Sequence, residues 1–349
     1  FNDCYNEYKS YPNMEKGVPK HLFDMRNQTF VESVLTGEDW LFNDKFFIMD
    51  GVTYPMFLTP EDNNPVLQGA GTVNDPYLIS NQEELNLIRT LNISDLLFYT
   101  QIRDIIFTKW QDDLGWIPIG SPAKNFGGRY NGNYFCIANL YINRPTEDNI
   151  GLFGYVYNTS TQTYIQNLTL INTYIVGKSN VGGLIGIVMG NIVISNIGIY
   201  NKDISGYSKI GGVVGLVDNI DSIRFSLSKT FCVNDIISST SNTHTSGCVG
   251  YINNMPVSGK TLSISLVNMF CYNAGFVNAG IANLYNCDFN NPAYSGETKR
   301  IEQIYSFGTI NYTQYYPIIN PINKIFTGTP TVNSLYYLKD YTNTTTTIS

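Results

Sequence analysis

Charge is what this 349-residue chain has least of. It carries 21 Lys+Arg and 28 Asp+Glu, 14% in all, against roughly 25% in an ordinary soluble domain. The net charge of −7 comes with no basic run, so the chain offers a phosphate backbone little to neutralise and no nucleic-acid partner is expected. Histidine is almost absent: His21 and His244 are the two, which leaves few routes to Ser–His or Cys–His nucleophilic chemistry. No apolar run approaches the roughly 18 residues of a membrane span, because Gly, Asn and Thr interrupt every candidate. The six cysteines, Cys4, Cys136, Cys232, Cys248, Cys271 and Cys287, lack the Cys-x-x-Cys spacing of a zinc site and are too sparse for a disulfide scaffold. They read as buried small hydrophobes, with no metal and no cofactor implied. The chain opens on Phe1 with neither a charged n-region nor an apolar h-region, and is read as processed or partial.

What is abundant points one way. Hydrophobic residues make up 43%, including 26 Tyr and 19 Phe, which excludes intrinsic disorder. There are 41 Asn, with many Ile, Thr, Ser and Gly. β-Branched and aromatic residues suit a pleated, half-buried surface, and Asn and Gly supply tight turns. The composition predicts an all-β protein.

One phrase then returns: Asn149-Ile-Gly-Leu-Phe-Gly-Tyr-Val, Asn180-Val-Gly-Gly-Leu-Ile-Gly-Ile-Val, Lys209-Ile-Gly-Gly-Val-Val-Gly-Leu-Val and a worn Thr245-Ser-Gly-Cys-Val-Gly-Tyr-Ile. The closing glycines, Gly154, Gly186, Gly215 and Gly250, stand 32, 29 and 35 residues apart. With Gly151, Gly183, Gly212 and Gly247 they form the expected structural glycines of the repeat, needed where the backbone takes positive φ or passes close to a neighbouring coil. A fifth, degenerate copy ends at Gly280. Each phrase follows a stretch of alternating apolar residues, such as Tyr164-Ile-Gln-Asn-Leu-Thr-Leu-Ile and Ile192-Val-Ile-Ser-Asn-Ile-Gly-Ile, the period of a half-buried strand. Two or three short strands per 30 or so residues, stacked copy on copy, predict a β-solenoid.

These copies resemble the GLUG-type repeat, whose Gly-Leu-any-Gly core is matched by Gly183-Leu-Ile-Gly186. Gly71-Thr-Val-Asn-Asp-Pro-Tyr-Leu-Ile-Ser80 with Glu83-Glu84-Leu85, Gly115-Trp-Ile-Pro-Ile-Gly120 and Phe126-Gly-Gly-Arg-Tyr-Asn-Gly-Asn133 resemble the segments that precede it in that family, except that Asn131 stands where Asp is usual. The resemblance implies a right-handed parallel β-helix in an extracellular, cell-surface or virion-surface protein of adhesive or architectural role. Residues 1–65 resemble the tail of a preceding module, which suggests part of a tandem modular fibre. The expected layout is that tail, an entry segment and capping helix over 66–98, a parallel β-helix over 99–290, and C-terminal coils with a polar tail over 291–349. The linker lies in the Pro- and Asn-rich 59–70, and the helix is expected from a capping box of Ser80 and Glu83 with Leu85, Ile88 and Leu91 on one face.

Catalytic candidates are sparse. A β-helix polysaccharide lyase or hydrolase is the enzymatic alternative, and a hydrolase would need paired carboxylates. From 149 to 282 the acids are Asp203, Asp218, Asp221 and Asp235, expected mostly at turns. Asp218 and Asp221 read as a solvated turn in preference to a Ca²⁺ loop, with Arg224 and Lys229 the nearby basic pair. His244 near Cys248 reads as an exposed turn residue beside a buried one. Trp116 is expected in the core, and Tyr164, Tyr174, Tyr200 and Tyr251 as outward contact residues. The favoured function is non-enzymatic, with a surface glycan, a protein receptor or neighbouring copies of the chain in a fibre as partner.

Overall fold

In a computed structural model of the chain, the described residues run from 67 to 285 with breaks at 92, 94–95, 109–113, 219–222, 242–243, 254–261 and 278–280. Five strands outside that range are also described: Phe46–Phe47, Met56–Phe57, Lys299–Ile310, Ile319–Ile322 and Thr331–Leu338. The chain divides into two compact units, Phe1–Asn64 and Pro65–Ser349. In the first, Phe46–Phe47 pairs antiparallel with Met56–Phe57.

The second unit is a parallel β-solenoid. A thirteen-stranded sheet has as its spine the long strands Thr163–Val176, Ile192–Gly206, Ile223–Asn234 and Leu262–Val277, extended by Lys299–Ile310 and Thr331–Leu338 at one end. At the other end come Arg129–Asn131, Phe98–Gln101 and Tyr77–Ile79. A six-stranded sheet stacks the second half of each glycine phrase, from Phe153–Val156 through Ile185–Val188, Val214–Asp218 and Val249–Asn253 to Ala282–Tyr285 and Ile319–Ile322. Ser179–Gly182, Ser208–Gly211 and Thr245–Ser246 form the third sheet.

Register follows the sequence repeat. Ile165, Ile194, Leu227 and Leu266 lie one over another, as do Phe153, Ile185, Val214 and Val249 across the tube. All eight are buried. Each such side chain contributes roughly 1.5–3 kcal/mol when fully removed from water, and since each strand is covered on its inner face by the opposite sheet, the stack holds one continuous apolar core. The same pairings put Gly154, Gly186, Gly215 and Gly250 in one column.

The physical reason for those glycines is close approach and not handedness. Among the described glycines, positive φ occurs at Gly69, Gly71, Gly115 and Gly120 and at none of the repeat positions. Instead a Cβ on Gly183 would meet the Gly212 carbonyl oxygen at 2.4 Å, and one on Gly212 would meet that of Gly247 at 2.2 Å. The left-handed positions are filled mostly by asparagine. Asn149, Asn180, Lys209 and His244 turn the corner that opens each phrase, and Asn167, Asn196, Lys229 and Asn268 bend each long strand at its middle. Side-chain amides link successive coils there, Asn196 Nδ2 donating to Asn167 Oδ1 at 2.8 Å and Asn167 Nδ2 to Asn131 Oδ1 at 2.9 Å.

The helix spans Gln82–Leu87 and begins one residue later than expected. Asn81, not Ser80, is the N-cap and accepts from the Glu84 amide at 2.8 Å. Glu84, not Glu83, reaches back, its Oε2 accepting from the Ser80 amide at 2.6 Å. Asn and Ser cap comparably well, so the frame is decided by which one lets Leu85 and Ile88 reach the core, where both are fully buried. Among the described residues no helix is long and apolar enough to cross a membrane.

Candidate functional site

The outer face of the first coils carries a groove of about 450 Å³. Two side-chain columns form its floor. In one, register sets Phe98, Arg129 and Tyr164 side by side. The Arg129 guanidinium lies 5.0 Å from the Phe98 ring centre and 4.6 Å from that of Tyr164, a cation held between two π faces. In the other, Thr100, Asn131 and Gln166 stand in register and offer hydroxyl and amide groups. Val73 and Pro76 make the end wall.

The strands dictate this arrangement. Along Arg129–Asn131, alternation turns Tyr130 inward, where it is fully buried and its hydroxyl donates to Gln101 Oε1 at 3.0 Å, so its two neighbours must face out. Burial pushes the Tyr130 hydroxyl far above its ordinary value, and it stays a neutral donor. Among the described residues Arg129 is the one charged residue lining the groove, and its Nε is buried with no hydrogen-bond partner among them. The Arg129 side chain as a whole is part-exposed, and the planar guanidinium fits an anionic acceptor of matching geometry, such as a carboxylate. The flanking rings suit the apolar faces of sugar rings. Among the described residues no Asp, Glu or His lines the groove.

Other candidates are scattered. Asp203 lies within the strand Ile192–Gly206, not at a turn, and burial raises its carboxyl above the ordinary value. Asp218 ends its strand and accepts from Asn253 Nδ2 at 2.8 Å. Asp235 forms an exposed ion pair with Lys202 at 2.8 Å, which contributes little. Asp221, His21, Cys4, Cys287 and Gly280 lie outside the described residues. Arg224 and Lys229 are exposed on the long strand, with Lys229 at one of its bends. His244 packs its ring 4.3 Å from that of Tyr251, while Cys248 is fully buried beside Cys232 and Cys271. His244 is half-buried, and burial, then Lys209, lowers its pKa.

Of the tyrosines expected to face outward, Tyr174 and Tyr200 do, both 41% exposed, and Tyr164 sits in the groove. Tyr251 does not: it packs with Ile187, Met189 and Leu216 in a small separate cluster and is only 8% exposed. Trp116 is in the core, its indole N–H donating to the Leu152 carbonyl at 3.1 Å. Phe98 and Arg129 were not legible as site residues, because only the neighbouring coil makes a column of them. The available signal was an arginine at an outward strand position, two residues before Asn131 in the Phe126-Gly-Gly-Arg segment.

Sequence reasoning also missed a buried polar ladder. Thr173, Asn201, Asn234 and Asn273 lie inside the tube, each at most 2% exposed. Asn201 Nδ2 donates to Asn234 Oδ1 at 2.6 Å and Asn234 Nδ2 to Asn273 Oδ1 at 2.7 Å, while Nδ2 of each also donates to a phrase carbonyl, Gly212 or Gly247, at 3.0 Å. The amide N–H groups of Asn201 and Asn234 are thus matched within the stack.

No known protein-family model matches the chain, so the GLUG-type identification gains no support from that source. Two curated proteins are similar to part of it. One, named "Putative Gly-rich membrane protein", from Evansella cellulosilytica, is 33% identical over 132 residues, 37% of this chain and 15% of that protein. The other, "Halomucin" from Haloquadratum walsbyi, is 32% identical over 132 residues, 36% of this chain and 1% of that protein. The chain therefore matches only a small part of the length of either. A solved structure described as a putative immunoglobulin A1 protease from Bacteroides ovatus is similar over 72% of this chain and 86% of its own, at 14% identity and a TM-score of 0.40.

Proposed function

We propose that the chain is a cell-surface or extracellular β-solenoid with a non-enzymatic, adhesive role, and that the groove on its first coils takes a carboxylate-bearing saccharide. The observation that carries this reading is Arg129, part-exposed between Phe98 and Tyr164 and the one charged residue among the described residues that line the groove. The names of the two similar proteins, a membrane protein and a halomucin, support a surface setting. A stack in which binding features recur coil by coil, about 4.8 Å apart, suits weak contacts made many at a time. Membership of a GLUG-type modular fibre is part of the proposal and rests on the motifs alone.

The test uses oligouronates, with dextran as the neutral control, in calorimetric titrations of the full chain. Binding is expected for the acidic sugar and not for dextran. Arg129→Gln removes a charge-assisted hydrogen bond, about 1.5–3 kcal/mol, and is expected to weaken binding roughly ten- to hundredfold. Equal binding of both sugars, or no change in Arg129→Gln, would sink the groove assignment. Release of reducing ends or unsaturated products during the same incubation would support the lyase or hydrolase alternative instead.

A further inference from the structure

Among the four cysteines described, three converge. Cys232, Cys248 and Cys271 are fully buried, and their sulfurs all lie within 4.8 Å of one another. They come from three separate segments: Cys232 and Cys271 are register partners on adjacent long strands, while Cys248 precedes the strand Val249–Asn253 of the facing sheet.

The replacement is coordinated. The column holding Cys232 and Cys271 is aliphatic in the earlier coils, where Ile137, Leu170 and Ile199 occupy it. Register across the six-stranded sheet places Cys248 after Leu152, Leu184 and Val213. The tube exchanges aliphatic side chains for thiols where three of them face each other. Three small hydrophobes would leave the core short of volume there.

The cluster borders the polar ladder. Asn201 Nδ2 lies 3.9 Å from Cys232 Sγ and Asn234 Nδ2 lies 3.9 Å from Cys271 Sγ, while the thiols of Cys232 and Cys271 donate to Asn234 Oδ1 and Asn273 Oδ1, each at 3.6 Å. One coil beyond Cys271, in the same column, stands Ser306, 1% exposed and with no hydrogen-bond partner for its Oγ. A buried hydroxyl without a partner is rare and supplies an oxygen donor on the column's far side.

We propose that Cys232, Cys248 and Cys271 form a trithiolate site for a thiophilic divalent cation with a filled d shell, of the Zn²⁺ class. With metal–sulfur bonds of about 2.3 Å, three sulfurs around one ion stand roughly 4 Å apart, which small rotations of side chains already within 4.8 Å can reach. As three metal–sulfur bonds form, three thiol protons leave to solvent. No oxidant or reductant is required. A disulfide would instead bring two sulfurs to about 2.05 Å and leave the third without a role. Since the site is closed to water, the ion enters as the coils assemble, and its binding energy becomes stability of the stack.

The test refolds the reduced full chain with Cd²⁺ as probe. Cys248→Val and Cys232→Ile install the residues the preceding coil itself uses, so both variants should fold, as checked by circular dichroism. Cys136→Ala is the control. The wild type and Cys136→Ala are expected to take up one Cd²⁺ per chain with a sulfur-to-cadmium charge-transfer band and a raised Tm. Cys248→Val and Cys232→Ile should lose both. Absence of the band in the wild type, its persistence in either variant, or a native mass short by two hydrogens with Cys232 linked to Cys271 would each overturn the assignment.

Discussion

Gly212→Ala tests whether coil spacing is set by the glycine columns. The added Cβ would sit 2.2 Å from the Gly247 carbonyl oxygen, 2.6 Å from Asn234 Oδ1 and 2.6 Å from Cys232 Sγ. The first obstacle is backbone of the next coil and cannot rotate away. Ordinary contact begins at 3.4 Å, so the two coils must part locally by about 1.2 Å. That displacement would stretch the Asn201–Asn234 hydrogen bond of 2.6 Å and the Gly212-to-Gly247 backbone bond of 3.2 Å to or beyond the limit of useful geometry. Overpacking costs about 1–3 kcal/mol, and two weakened hydrogen bonds add about 1 kcal/mol each. The expected loss is about 3–5 kcal/mol. Gly198→Ala is the matched control: its Cβ would meet only the Thr169 side chain, at 3.2 Å, and a shift within about 0.5 kcal/mol is expected. Urea unfolding followed by circular dichroism compares the two, and amide exchange at Val213 and Val249 reports the local opening that a stacked array allows. If Gly212→Ala and Gly198→Ala unfold at the same urea concentration, close approach is not what holds the glycine.

Asn234→Ala removes the acceptor of Asn201 Nδ2, the amide donor to Asn273 Oδ1 and one of the donors to the Gly247 carbonyl, and a lower urea midpoint equivalent to about 2–4 kcal/mol is expected. Asn81→Ala removes the acceptor of the Glu84 amide and should cost about 1 kcal/mol, seen as faster exchange in Gln82–Leu87. His244 has its pKa lowered from 6.5 by burial and by Lys209. Its unfolded form therefore binds a proton first, so its contribution to stability is complete above about pH 6.5 and is lost as pH falls through the lower folded value. Urea midpoints measured from about pH 8 to pH 5 should show this slope, and His244→Asn should flatten it while keeping the corner, since Asn180, two coils earlier, already takes the same left-handed conformation.

The repeat was readable because its apolar alternation and its glycine interval are local signals. The phrase Gly-Gly-Leu-Ile-Gly carries both the close-approach glycines and the inward Leu184 and Ile185. The helix was readable too, but its cap was displaced by one, because Ser80 and Asn81 are both competent N-caps and core packing arbitrates between them. Asparagine was the misleading signal. Its abundance reads as turns, which is right for Asn149 and Asn180, yet Asn201, Asn234 and Asn273 are buried inside the tube. No single strand can accommodate such a residue. Only the identical residue one coil away, with a phrase carbonyl beside it, matches its donors. Tyr251 misled in the same way: it stands in one register column with Ile187 and Leu216, and they bury it together with Met189.

The same dependence on neighbours explains where the candidate sites fall. In a parallel stack each position of the coil becomes a column, and the scaffold is whatever each column repeats. Ile165, Ile194, Leu227 and Leu266 are scaffold on this view. A residue that departs from its column must find another reason to be tolerated. Arg129 stands between two aromatics, Phe98 and Tyr164, in a column that continues as Val193 and Ser226, and Cys232 departs from an aliphatic column; Phe98 and Tyr164 clasp the guanidinium, while Cys248 and Cys271 meet the thiol. Lys229 also departs from its asparagine column, but it is exposed, and its cost is one amide rung of the ladder. Departures that are buried and matched across coils mark chemistry; those that are exposed and unmatched mark drift. Arg129→Phe therefore separates the two meanings at one position, since it sets a third aromatic between Phe98 and Tyr164. It should leave urea stability unchanged or raised while abolishing acidic-saccharide binding, and a large loss of stability instead would make Arg129 part of the scaffold.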